Sequence, residues 1–110
     1  MRPIMLWIDD IRDPKDYGYR DCDDMNVIWC KSVYDAIAAY NSLGHYVKYI
    51  SLDHDAGDYV SVGGDYIKFL DWFERNHQEE FTGIKWSIHS FNPVGIQNMR
   101  AILNKNGVNC

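Results

Sequence analysis

The chain has 110 residues, of which 46% are apolar and 15% aromatic, enough for one packed core. Its 25% charged fraction, with no polar low-complexity tract, excludes a disordered chain. With 16 acidic residues against 11 basic ones the net charge is −5, and the Lys and Arg side chains form no run or stripe, which disfavours duplex DNA as a partner. Cys22, Cys30 and Cys110 show no paired spacing, which argues against a disulfide framework or zinc knuckle and for a reducing cytoplasm; no export or membrane segment is visible.

Ile4–Ile8 is a continuous apolar run, the pattern of a strand buried on both faces, and it stops at Asp9-Asp10. At five residues it is too short to span a bilayer. Residues 11–25 carry Asp, Arg, Gly, Tyr and Pro14 without helical period, so they read as a long loop. Asn26–Cys30 reads as a short strand. Ser32 and Asp35 then make a capping pattern for a helix with Val33, Ile37, Tyr40 and Leu43 on one face, ended by Gly44.

Val47–Leu52 is the next buried strand, and it too runs into acidic residues, Asp53-His54-Asp55. A glycine-containing stretch at 56–64 leads to a helix over about 65–76, with Ile67, Leu70 and Phe73 at helical spacing. After a turn at Gly83, a strand over 84–88 ends in His89-Ser90. Asn92-Pro93 supplies the cap and first residue of a last helix reaching about residue 104.

Strands alternating with helices predict an α/β fold, a small doubly wound parallel sheet in one domain over 1–110. Such sheets bind ligands beyond the C-terminal strand ends, where strand order reverses. Asp9, Asp10, Asp53, His54, Asp55, His89, Ser90 and Asn92 are all expected there.

Leu6-Trp7-Ile8-Asp9-Asp10 and Ser51-Leu52-Asp53 resemble the acidic pair and acceptor aspartate of response-regulator receiver domains, although no helix is expected between Asp10 and Asn26. A fuller resemblance, spanning nearly the whole chain, is to the receiver-derived cyclic-phosphate processing receiver domains. It rests on Ile8-Asp9-Asp10-Ile11-Arg12-Asp13-Pro14, Leu52-Asp53-His54-Asp55 and His89-Ser90-Phe91-Asn92-Pro93-Val94-Gly95. It implies a receiver-like, flavodoxin-like three-layer sandwich with the first helix replaced by a loop. It also implies action on a cyclic phosphate, with His54 and His89 as the motif histidines.

Hydrolysing a cyclic phosphodiester requires deprotonating a water and protonating a leaving alkoxide, work that two imidazoles can divide. His54 and His89 are the expected pair, with Asp53 beside them; a strand-end histidine that only caps backbone is the plainer alternative. Asp9, Asp10 and Asp53 offer hard oxygens for Mg²⁺ or Mn²⁺, and adding the histidines would suit Mn²⁺ or Zn²⁺. Equally, those aspartates cap loops and pair with Arg12 or Arg20, and a two-histidine mechanism needs no metal.

Arg12, Asp55, Ser90 and Asn92 are candidates for binding substrate, the last two at a helix N-terminus. Tyr17, Tyr19, Tyr59 and Tyr66 are placed to stack on a nucleobase, or simply to pack. Trp7, Trp29, Trp72 and Trp86 read as core, and His45 and His77 as surface residues. The expected activity is a cyclic-phosphate phosphodiesterase acting on a cyclic nucleotide, a cyclic oligonucleotide messenger or a 2′,3′-cyclic RNA end. The alternative is a noncatalytic receiver-like module binding a nucleotide or a protein. The sequence leaves oligomeric state open.

Overall fold

The computed structural model describes residues 2–109. Strands β1 (Ile4–Ile8), β2 (Asn26–Cys30), β3 (Val47–Leu52) and β4 (Lys85–Ile88) form a parallel sheet in the order β2-β1-β3-β4. Helices α1 (Val33–Leu43), α2 (Ile67–His77) and α3 (Pro93–Lys105) connect or follow them. All five β1 residues are buried between β2 and β3, which accounts for the unbroken apolar run.

Strand alternation divides β1 between the two faces. Ile4, Leu6 and Ile8 join a core with residues of all three helices, among them Ala36, Phe69 and Met99; Met5 and Trp7 are buried outside it. Right-handed crossovers explain why the helices share a face. The step from β1 to β2 moves one way across the sheet, whereas β2 to β3 and β3 to β4 move the other, so their helices pack opposite the first connection. That first connection is a loop.

Residues 11–25 supply the third layer. Asp13 caps a short 3₁₀ turn, Pro14–Tyr17, and Gly18 ends it at φ +87°, a left-handed conformation that favours glycine. Tyr17 and Tyr19 rest on Trp7 with ring centroids 5.6 and 5.5 Å away, and the Trp7 indole donates to the Arg12 carbonyl at 2.9 Å. The fold is the receiver-like sandwich that the sequence predicts, with a loop in place of its first helix.

Several boundaries move for local reasons. α2 begins at Ile67, because the Asp65 carboxylate accepts from the Ala56 N–H at 2.9 Å and the Tyr66 N–H is engaged by the His54 carbonyl. Helix α1 buries Val33, Ala36 and Tyr40, while Ile37 and Leu43 lie at the margin of the core. Gly44 stays right-handed and leads directly into a 3₁₀ turn. Trp29 and Trp72 are only half-buried. His77 is half-buried rather than a surface residue: it packs on Tyr40 and hydrogen-bonds Glu80 at 2.7 Å. No helix among the described residues is long and apolar enough to cross a membrane.

Candidate active site

The parallel ladder continues one residue beyond each of three strands. The Asp9 N–H donates to the Cys30 carbonyl (3.1 Å), that of Asp53 to Ile8 (2.9 Å) and that of His89 to Leu52 (2.8 Å). Since Ile8, Leu52 and Ile88 are in register, Asp9, Asp53 and His89 stand level at the C-terminal sheet edge. Their backbone is therefore fixed by the sheet, and the site flanks the switch point between β1 and β3.

Asp9 is fully buried and its carboxylate is saturated. Oδ1 accepts from the backbone N–H groups of Ile11 (3.0 Å) and Arg12 (2.9 Å), and Oδ2 from Arg12 Nη1 (3.1 Å) and His89 Nε2 (2.9 Å). Burial alone would raise this carboxyl, but the His89 bond, followed by those from Arg12 and Ile11, holds it well below the usual range. Asp9 is thus ionised, and His89 carries a proton on Nε2.

The other His89 nitrogen, Nδ1, is 2.7 Å from Ser51 Oγ, which accepts from Ser87 Oγ at 2.8 Å. The imidazole also stacks on Trp7, with centroids 4.0 Å apart and planes within 4°. Trp7 is in register with Ser51, and Ser51 with Ser87, so these partners rise from one level of the sheet on the loop-covered face.

His54 is oriented from the helical side. Its Nδ1 is 2.8 Å from Asp55 Oδ1, while Nε2 has no hydrogen-bond partner among the described residues. The ring lies against α3 so closely that a Cβ on Gly95 would fall on it, 2.6 Å from Cδ2 and 2.9 Å from Nδ1. Asn92 caps α3 by accepting from the Gly95 N–H at 3.0 Å, and its Nδ2 lies 3.4 Å from Asp55.

At the same strand ends lies an open cleft of about 450 Å³, lined by residues that include Asp10, Arg12, Asp53, Asp55, Ser90 and Asn92. Neither imidazole is among its lining residues; each is next in sequence to one that is, His54 to Asp53 and Asp55 and His89 to Ser90. Arg12 Nη1 bridges Asp9 to Asp53 Oδ2 (3.0 Å), leaving Nε and Nη2 without hydrogen-bond partners among the described residues. Asp53 Oδ1 accepts from the His54 N–H at 2.8 Å, so Asp53 positions its neighbour. Ser90 Oγ accepts from the Asn92 N–H at 3.0 Å. A larger hollow of about 520 Å³ lies on the loop-covered face, lined by Met5, Met25, Tyr49 and Lys85 among others. It holds Asp24 and Lys85 but no hydrogen-bonded cluster of charged side chains like that joining Asp9, Arg12 and Asp53, so the smaller cleft is the candidate site.

Asp9, Asp10 and Asp53 present carboxylate oxygens within 4.8 Å of one another, a spacing one cation can bridge. The Asp10 carboxyl is raised, first by burial and then by the charges of Asp9 and Asp53. Arg12 supplies a single positive charge to this trio. A second set, His54, Asp55 and Asp65, meets the same spacing and has softer donors. Gly57 closes over Asp10 at φ +55°, where a side chain would meet Asp10 Oδ2.

The structure brings all the expected site residues to one sheet edge but changes several partners. Asp55 is the partner of His54, and Arg12 is both ion-paired and still a donor. Sequence reasoning missed Ser51, Ser87, Trp7 and Gly95 as supports of the histidines. Ser51, a polar residue between the buried Ile50 and Leu52 of β3, was the available signal; the first half of that strand, at Lys48 and Tyr49, is exposed rather than buried as expected. The tyrosines expected to stack are occupied: Tyr66 is fully buried with its hydroxyl on the Lys31 carbonyl (2.7 Å), Tyr59 packs on the core, and Tyr17 and Tyr19 lie on Trp7.

The family model described as cyclic-phosphate processing Receiver domain matches residues 4–105. No curated protein and no solved structure matches the chain.

Proposed function

The chain belongs to the cyclic-phosphate processing receiver domain family, and from that membership we propose that it is a hydrolase opening a cyclic phosphodiester of a nucleotide. The observation that carries this reading is the pair of imidazoles, each held by its own aspartate, that reach the same strand ends from opposite faces of the sheet. In-line attack at phosphorus places the entering water and the leaving alkoxide on opposite sides, which is where a base and an acid are then needed.

His54 is the proposed base. With Asp55 accepting the Nδ1 proton, the lone pair is on the unoccupied Nε2, as in other carboxylate-oriented imidazoles. His89 is the proposed acid in its imidazolium form, with Nδ1–H donating to Ser51 Oγ; giving the Nε2 proton to the alkoxide leaves a neutral ring and requires exchanging Asp9 for substrate. Arg12 meets a phosphate oxygen through its unengaged donors, and Ser90 and the amides at the start of α3 complete the cradle. We further propose that Mg²⁺ or Mn²⁺ at Asp10 and Asp53, with Asp9 joining when Arg12 or His89 releases one of its oxygens, is an accessory, which when bound would offset carboxylate repulsion. The proposed setting is the cytoplasm, in keeping with free thiols at Cys22 and Cys30, the latter pushed up to about 12 by burial and so inert.

One observation favours a noncatalytic nucleotide-binding module instead: both His89 nitrogens already have partners. Turnover of a panel of cyclic nucleotides, with and without chelator, decides between the readings. His54→Ala and His89→Ala are each expected to lower turnover by about 10²- to 10⁴-fold while leaving the fold intact. Equal turnover in both folded variants and the parent would overturn the assignment.

A further inference from the structure

The three most exposed large apolar side chains among the described residues are Phe91 (85%), Ile11 (75%) and Val94 (65%). Ile11 and Phe91 line the cleft that holds Arg12 and Asp53, and Val94 follows Pro93, another lining residue, in the first turn of α3. Apolar groups left in water at the mouth of a polar cleft are the signature of a surface that a ligand covers.

Phe91 is also pre-oriented. The Arg12 guanidinium lies 4.9 Å from its ring centroid, and that guanidinium is fixed by Asp9 and Asp53 at 3.1 and 3.0 Å. One ring face is therefore turned to a clamped cation while most of the side chain stays open. Tyr59 and Tyr66 pack inward, Tyr17 and Tyr19 lie on Trp7, and none of the four lines the cleft, so Phe91 is the aromatic placed there to stack.

We propose that Phe91, edged by Ile11, is the stacking platform for the nucleobase of the substrate, and hence that the substrate is a base-bearing cyclic phosphate. This rests on the proposed phosphodiester chemistry. A phosphate on the unengaged donors of Arg12 and a base on Phe91 would be joined by one ribose. The platform tolerates any base, because stacking uses the π-face that all bases share.

Equilibrium binding in the full chain tests this, measured by NMR titration in a His54→Ala background so that ligand is not consumed. The probes are adenosine 2′,3′-cyclic and 3′,5′-cyclic monophosphate against a base-free ligand, glycerol 1,2-cyclic phosphate. Phe91→Ala should lower the ratio of base-bearing to base-free affinity by roughly 5- to 150-fold, and Phe91→Trp should restore it. An unchanged ratio, or no binding of any base-bearing ligand, overturns the platform. In the former case, with cyclic phosphates still turned over by the parent, the phosphodiesterase reading survives and the apolar rim is assigned to a protein partner. Conversely, base-selective binding through Phe91 without turnover of any cyclic phosphate sustains the platform and removes the hydrolase reading.

Discussion

Replacing Gly95 with alanine should separate stability from catalysis. The added methyl would lie 2.6 Å from His54 Cδ2 and 2.9 Å from Nδ1, well inside van der Waals contact, so the imidazole must move. The ring is tied to Asp55 at 2.8 Å, and a shift large enough to admit a Cβ breaks that bond. Forcing an extra methyl into a packed site costs about 1–3 kcal/mol. Gly95 is the third residue of α3, where alanine recovers about 0.5–1 kcal/mol over glycine. The net loss should therefore be no more than about 2.5 kcal/mol, tolerable for a domain of ordinary stability.

Catalysis should suffer far more, because a displaced base forfeits much of the roughly 10²- to 10⁴-fold that general base catalysis supplies. Gly83→Ala is the control, since a Cβ there meets nothing within 4 Å. Urea denaturation gives the stability term, initial rates on a cyclic nucleotide the catalytic one, and the His54 ring resonances report displacement directly. A folded Gly95→Ala variant with parental rates and unmoved His54 resonances would refute the argument.

Asp9→Asn should cost toward the lower end of the roughly 3–5 kcal/mol typical of a broken buried ion pair, because Asp53 still holds Arg12; denaturant unfolding at neutral pH measures it. The Asp9 carboxyl is held below its unfolded value of 3.8, so its contribution to stability is complete above that pH and lost as pH falls below it. Thermal melts between pH 2 and 5 should accordingly fall less steeply for Asp9→Asn than for the parent. Millimolar Mg²⁺ or Mn²⁺ should raise the melting temperature by binding only the native state, which at a hundredfold excess over Kd is stabilised by about 2.7 kcal/mol, and Asp10→Asn should abolish the effect. Equal melts with metal and with chelator would leave the histidine pair working without an ion.

Strand and helix identities were legible because local chemistry specifies them. The unbroken apolar run Ile4–Ile8 is the pattern of a doubly buried strand, and Ser32 and Asn92 announce the helices they cap. The same reasoning placed Asp9, Asp53 and His89 at one edge, since parallel strands present their C-terminal ends together. Partner choice was not legible. Asp9 and His89 are 80 positions apart, and only sheet register brings their side chains to 2.9 Å. Which face a strand-end residue takes is likewise a matter of tertiary structure. His89 meets Ser51 and Trp7 on the loop side and His54 meets Gly95 on the helical side, because crossover handedness sends α1 and α2 to one face and α3 packs into the same core through Met99 and Leu103. The sequence by itself determined what the site is made of; packing decided which carboxylate each histidine holds and left Phe91, rather than any tyrosine, free at the cleft.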